Sequence, residues 1–366
     1  MVKIAKKDQI RYINVLKALG IISVVMGHAG SPITNEIYLY HMALFFFITG
    51  YLYKESYENN FKTFFWKRVK SLYIPFVMFQ IIFVLIRNIL INIYVYDSAK
   101  LGYINSFSDF IYYLKYIITF NYSGDSMLGA IWFLKALFFV NILYLIFNIT
   151  LKKLFKDREI IKFIIFMLLA VMGFYTISYG YNPIVYFNPH NYKIPGMFLS
   201  LFDSRNFLLL AIYYLGHLYR KNEEKVSINI YIAILFSFML YIFSKYGSID
   251  VSTYRFEGPF YFIGCAILGI YVNIYLAKKI AKLDWSLINY IGKNSLYIML
   301  LHFLSFKLVD ALIVFLYNLP INNISAYPVS TYGGYWWILY TIVGVGIPVI
   351  IMYIYEFIKL KIINKS

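Results

Sequence analysis

Long runs of apolar residues recur along the chain and constrain its fold more than any other feature. A helix needs about 20 apolar residues to cross the ~30 Å hydrocarbon layer of a membrane. Ten segments approach that length: residues 11–29, 37–54, 71–95, 129–150, 160–178, 205–220, 227–246, 258–277, 292–317 and 335–358. Hydrophobic residues make up 61% of the chain, which is more than a water-soluble core can bury. The sequence therefore predicts an all-α polytopic membrane protein with about ten transmembrane helices.

The positions of the basic residues predict how these helices are oriented. Lys and Arg accumulate in the cytoplasmic loops of membrane proteins. Of the 34 basic residues here, 24 lie at the two termini and in alternate loops, and the intervening loops hold only 6. This alternation predicts that both termini are cytoplasmic, and it accounts for the net charge of +17 without a nucleic-acid partner. The long loops at 97–128, 179–204 and 318–334 would then be extracytoplasmic, with short interfacial helices such as one around residues 107–120.

No loop is long enough to form a separate catalytic domain, so we expect one integral-membrane domain over residues 1–366 with its chemistry among the spans. The single cysteine, Cys265, excludes a disulfide framework within one chain. The sequence contains no His or Cys spacing typical of a metal site, no Gly-rich phosphate loop and no serine-hydrolase motif. It therefore predicts no metal.

Ionisable residues inside the predicted spans are the strongest candidates for chemistry, because they are costly in a membrane unless they have partners and a task. Lys17 and His28 lie eleven residues apart in the first span. They therefore fall within ~20° of one helix face and roughly 16 Å apart along the axis. A cation and an imidazole so placed suit an extended ligand, and the pantetheine arm of coenzyme A is comparable in length. The other candidates are His41, Arg68, Lys70, Arg87, Lys135 and His302, with Lys307 and Asp310 as an ion pair.

Five segments together carry a resemblance to a known family. They are the basic residue and His of the first span, HMALFFFITGYLY at 41–53, Phe64-x-x-x-Arg68 followed by Lys70 and SLYIPF, AIWFLKALFFV at 130–140, and NSLYIMLLH at 294–302. This set resembles the acyltransferase 3 family of integral-membrane acyltransferases, and especially its fucose-4-O-acetylase-like branch. Two positions depart from the family pattern. Asn14 stands where the family often has Asp, and lysines flank Arg68 where it usually has a second Arg.

The resemblance implies a bacterial inner-membrane enzyme that moves an acetyl group from cytoplasmic acetyl-CoA to a hydroxyl of a surface polysaccharide or its lipid-linked precursor. Within that frame, we expect His28 to act as general base or to accept the acyl group, with His41 orienting or replacing it. The predicted coenzyme A phosphate ligands are Lys17, Arg68 and Lys70, and the predicted oxyanion or substrate contacts are Arg87, Lys135 and His302.

Other interpretations of the same residues stay open. Each histidine is also compatible with a buried hydrogen bond between helices, and each cation with a side chain that reaches the membrane interface. A polytopic transporter or flippase for glycan precursors would also place cations in its spans. A carrier is expected to have Gly- or Pro-interrupted spans in corresponding halves, which the sequence does not show. A glycan polymerase would be expected to have a large outer loop richer in Arg.

Overall fold

The computed structural model describes residues 2–122, 124–181, 196–331 and 333–363. These residues form helices and no β-strand, which confirms the predicted all-α fold. In chain order the helices are α1 (Val2–His28), α2 (Thr34–Tyr38), α3 (His41–Tyr51), α4 (Phe61–Arg68), α5 (Ile74–Asn92), α6 (Phe107–Ile118), α7 (Trp132–Phe155), α8 (Glu159–Ser178), α9 (Gly196–Leu201), α10 (Ser204–Asn222), α11 (Ile230–Phe243), α12 (Pro259–Ile280), α13 (Ser286–Lys293), α14 (Ser295–Leu316) and α15 (Trp336–Ile363).

Seven helical stretches in the described ranges are long and apolar enough to cross a membrane. They are Gln9–His28, Phe61–Asn92, Trp132–Phe155, Glu159–Ser178, Pro259–Leu283, Ser295–Leu316 and Trp336–Ile362. The other three predicted spans also contain helices, but each falls short. The segment 37–54 is interrupted between α2 and α3, α10 carries three cations, and α11 has only 14 residues. The count of ten and the cytoplasmic termini therefore stay predictions.

Helix α1 lies at the centre of the fold. It packs against α3, α12, α13, α14 and α15, and α3 in turn packs against α10. The backbones of α3 and α10 approach closely at two glycines. Gly50 lies against the carbonyl group of Tyr213, and Gly216 lies against the carbonyl group of Phe47, so that a Cβ at either glycine would collide with backbone. Small residues at a helix interface permit this approach.

One π-helical turn, Val69–Tyr73, joins α4 to α5 and is relevant to the site. Pro75 follows it and lacks the N–H group that an α-helix would direct to the carbonyl of Ser71. Such turns are frequent at functional sites because they change which side chains face inward. Here the turn brings Ser71 and Leu72 into the wall of the cavity described below.

The short helix predicted in the first long loop is confirmed, and the extracytoplasmic location of the loops stays a prediction. Helix α6, Phe107–Ile118, forms in the loop 97–128 as predicted, and its first turn is closed by a capping box between Ser106 and Asp109. Most of the predicted loop 179–204 lies outside the described residues. The loop 318–334 contains a short 3₁₀ turn, Ile321–Ser325.

Candidate functional site

A cavity of about 290 Å³ lies beside α1 in the centre of the bundle. Four of the candidate residues line it, namely Lys17, His28, His41 and Arg68. Because α1 and α3 are joined by a short connection that contains α2 and run side by side, Lys17 lies opposite the last turns of α3, and His28 lies near its first residue, His41. The two ends of the cavity are therefore separated by roughly 16 Å, the rise of eleven helical residues.

The cationic end of the cavity is formed by Lys17 and Arg68 together with Thr49 and Ser71. The guanidinium of Arg68 lies 4.8 Å from the centre of the Phe64 ring, and its buried Nε has no hydrogen-bond partner in the described structure. Among the described residues, neither cation forms an ion pair with a carboxylate. Buried charges are normally paired. This end of the cavity therefore suits an anionic ligand.

The histidine end is formed by His28, His41 and Tyr38. The Tyr38 hydroxyl lies 3.1 Å from Nδ1 of His28. Nδ1 of His41 lies 2.9 Å from the carbonyl oxygen of Ile37. Because a carbonyl only accepts hydrogen bonds, Nδ1 of His41 carries the proton and Nε2 keeps its lone pair in the neutral ring. The end of the cavity thus contains an imidazole that is fixed as a proton acceptor.

His302 lies behind this end and is buried. Its ring stacks on that of His28, with centroids 5.4 Å apart and an interplanar angle of 23°. Its Nδ1 donates to the carbonyl of Met299 at 2.8 Å, and Nε2 has no hydrogen-bond partner in the part of the chain that the structure describes. His302 therefore contacts His28 directly, although it does not line the cavity.

The structure does not bring Lys70, Arg87 or Lys135 to the cavity. Lys70 is exposed. Arg87 is buried elsewhere and donates to the Tyr122 hydroxyl at 2.6 Å, while Lys135 donates to the carbonyl of Phe120 at 3.1 Å. The contact of Arg87 and Lys135 with a reacting oxyanion therefore stays a prediction that the cavity wall does not support, because each side chain has its hydrogen-bond partner away from the cavity.

The buried pair of Lys307 and Asp310 is confirmed, with Nζ and Oδ2 2.6 Å apart. The pair also connects α14 to the loop that follows it. Lys307 also donates to the carbonyl of Ala326, and Asp310 accepts from the backbone N–H of Ser330 at 2.9 Å. The pair thus holds both sides of Tyr327, which lines the cavity.

Sequence reasoning assigned no role to several cavity residues at the histidine end, including Tyr38, Trp132, Asp250, Ser252 and Tyr327. Trp132 belongs to a segment that carries the family resemblance. Tyr38 lies within the predicted span 37–54, but it is not ionised at neutral pH, and the other three lie in loops, so a search for ionisable residues within apolar runs gives no signal for them. Only the folded chain shows that these segments meet beside His28.

Comparison with known families identifies the family of the chain. The acyltransferase 3 family model, described as an acyltransferase domain, matches residues 10–356, nearly the whole chain. No curated protein and no solved structure gives a significant match. The matched range contains every residue of the cavity wall, from Lys17 to Tyr327. With its several apolar membrane-spanning helices, this chain is a multi-pass membrane acyltransferase, and it belongs to the acyltransferase 3 family.

Proposed function

We propose that this enzyme moves an acetyl group from acetyl-CoA to a hydroxyl of a surface glycan, or of its lipid-linked precursor, in the cytoplasmic membrane of a bacterium. One observation carries the proposal. A single cavity has two histidines at one end and, at the other, two cations that pair with no carboxylate of the described residues. This is the distribution of charge and reactivity that a donor with a phosphate end and a distant thioester requires. The fucose-4-O-acetylase-like pattern of the sequence supports a sugar as the acceptor.

The donor would lie along the length of the cavity. Its phosphates bind Lys17 and Arg68, where a phosphate oxygen gives the buried Nε of Arg68 the acceptor that the described residues do not supply. The pantetheine arm then follows the apolar middle of the wall, which includes Phe45, Ile48 and Leu72. The roughly 16 Å between the two ends places the thioester beside His28.

Transfer needs a base for the sugar hydroxyl. His28 takes the proton at Nε2 while its Nδ1–H donates to the hydroxyl oxygen of Tyr38, the tautomer that this contact permits. The hydroxyl oxygen forms a bond to the carbonyl carbon of the thioester, and the carbon–sulfur bond then breaks. The thiolate of coenzyme A leaves and takes the proton back from His28. Stacking on His302 holds the His28 ring in place.

His41 is the second histidine at the histidine end of the cavity. Its Nε2 is an acceptor because Nδ1–H is bound to the carbonyl of Ile37. It would orient the sugar hydroxyl toward His28, or act as the base in its place. In the predicted topology, the cationic end faces the cytoplasm and the histidine end faces outward. Donor and acceptor would then meet without coenzyme A leaving the cytoplasmic side.

The proposal is tested by mass spectrometry of surface glycan from cells with and without the gene. We expect an acetyl increment that disappears on deletion and returns with the wild-type gene. His28→Ala should lower transfer by about 10²–10⁴-fold, the usual contribution of a general base. His217→Gln is the matched control, because His217 is buried but does not line the cavity.

Acetyl transfer by the variants is compared at equal amounts of protein in the membrane. An unchanged acetyl content on deletion would refute acetylation of the glycan. A loss of surface glycan without any change in its acetylation would favour a carrier. Near-normal transfer by the His28→Ala variant would remove His28 from the mechanism.

A further inference from the structure

The histidine end of the cavity has a rim that the transfer steps do not use. It is contributed by three separate segments: Trp132 at the start of α7, Asp250 and Ser252 in the loop between α11 and α12, and Tyr327 in the loop between α14 and α15. Two aromatic rings, a carboxylate and a hydroxyl thus surround the mouth of the site beside the histidines.

Arg205 at the start of α10 fixes the position of Trp132. Its buried guanidinium lies 4.7 Å from the centre of the Trp132 ring and 4.5 Å from that of the Tyr254 ring. Stacking of a guanidinium on an aromatic face is favourable, and more so when both groups are shielded from water. Trp132 is therefore held from behind by a cation and has a defined orientation at the cavity.

The same guanidinium also holds the loop that carries Asp250. Arg205 forms an ion pair with Asp203 at 2.7 Å. Its Nη1 lies 3.3 Å from the carbonyl oxygen of Val251 and 3.4 Å from that of Ser252. One buried charge thus connects the tryptophan to the loop on the neighbouring side of the rim.

Asp250 is rigid within its loop. Its Oδ1 accepts hydrogen bonds from the backbone N–H of Ser252 at 2.9 Å and from the Ser252 hydroxyl at 2.6 Å. Its backbone N–H and C=O both pair with Arg255 at 2.9 Å. In the described structure, the hydrogen bonds to this carboxylate all go to Oδ1. Oδ2 therefore retains its capacity to accept from a ligand hydroxyl.

We propose that Trp132 and Asp250 form the subsite for the acceptor sugar, with Arg205 as its positioning residue; this rests on the proposed function. An aromatic face packs on the C–H groups of a pyranose ring, and a carboxylate accepts its hydroxyls. Because the carboxylate would repel a like charge, the acceptor unit is an uncharged sugar and not a uronic acid or another acidic sugar. A rim fixed before binding lowers the entropy cost of holding the ring beside His28.

The test uses the non-acetylated glycan isolated from cells that lack the gene, radiolabelled acetyl-CoA, and membranes that contain equal amounts of each variant. Trp132→Ala and Asp250→Asn should each raise the KM for the glycan at least about tenfold, while the KM for acetyl-CoA stays within about twofold. Arg205→Lys keeps the charge but loses the planar stack, so it should raise the glycan KM with little change in kcat. Trp285→Ala, at an exposed tryptophan, is the matched control.

The outcomes separate this inference from the proposed function. If wild-type membranes transfer no acetyl group to the glycan, both fail. If they do, but Trp132→Ala and Asp250→Asn leave the glycan KM unchanged, the sugar subsite alone is refuted. Should Trp132→Ala not accumulate in the membrane, Trp132→Phe replaces it, with an expected rise of about threefold. A structural role for Arg205 would lower the amount of protein or kcat without raising the glycan KM. NMR of the product that locates the acetyl group on an acidic sugar would also overturn the proposal.

Discussion

Replacement of Arg68 by Gln tests the assignment of the cationic end to the donor. Arg68 lies in the cavity wall with a buried Nε that has no acceptor among the described residues. A hydrogen bond to a charged group contributes about 1.5–3 kcal/mol. Since 1.4 kcal/mol corresponds to tenfold in affinity, loss of one phosphate contact should raise the KM for acetyl-CoA about 10- to 100-fold.

The effect should fall on KM and not on kcat. In the proposed pose, the cation holds the phosphates in the ground state and the transition state equally, since the reacting carbonyl lies roughly 16 Å away. Lys17→Gln should behave in the same way. We expect its effect to be smaller, because an ammonium group binds phosphate as a point charge and not through a bidentate fork.

The assay compares two donors in membranes that contain equal amounts of each protein. Acetyl-CoA carries the phosphates, whereas S-acetylpantetheine has the same thioester and no phosphate. Arg68→Gln should weaken use of acetyl-CoA and leave use of S-acetylpantetheine unchanged. Lys70→Gln is the matched control, because it removes the same charge two residues away from an exposed side chain outside the cavity wall.

Two results would refute this reasoning. If Arg68→Gln slows both donors by the same factor, Arg68 supports the fold or the chemistry but does not bind phosphate. If Lys70→Gln raises the KM for acetyl-CoA as much as Arg68→Gln does, the donor phosphates lie at the surface of the protein, and the cavity is not the path of the donor.

Two further predictions concern stability, measured as thermal unfolding in detergent. Gly216→Ala places a Cβ against the carbonyl group of Phe47 and should lower the free energy of unfolding by about 1–3 kcal/mol. Gly264→Ala is the control, because a Cβ there meets no atom within 4 Å and should have little effect. Equal melting temperatures of the two variants would contradict the close contact between the helices. Lys307→Met leaves the Asp310 charge buried without its cation and should cost about 3–5 kcal/mol. Adding Asp310→Asn should recover part of that loss, and no recovery would argue against the ion pair.

The sequence predicts best which side chains share one face of a single helix. Lys17 and His28 line the same cavity because the period of a single helix sets their common face, and no tertiary knowledge is needed. Arg87 and Lys135 show the limit of that argument. Their depth followed from position in a span, but the face that each presents depends on how α5 and α7 pack. The hydrogen bonds to Tyr122 and Phe120 that draw them away from the cavity appear only in the folded chain.

Contacts between distant segments could not be predicted. His302 stacks on His28 across more than 270 residues of sequence, and Asp250 reaches the same site from a loop. Hydropathy also predicts continuous helices where the folded chain has a break. The segment 37–54 has the composition of one membrane helix, yet it forms the short helix α2 and then α3, which begins at His41.

That interruption also decides where α3 begins relative to the cavity. In a continuous helix over 37–54, the N–H groups of residues 41–43 would bond to carbonyls one turn earlier, and the positive end of the helix dipole would lie at the start of the segment. The break instead places the first residue of α3, and the partial positive charge of its N-terminus, at His41 in the cavity wall. A thioester attacked by a hydroxyl passes through an oxyanion, and in the described structure neither Arg87 nor Lys135 lines the cavity to meet it. The N-terminus of α3 is a source of positive potential at the histidine end that needs no additional charged side chain, so filling the break with regular helix should reduce transfer even with both histidines retained.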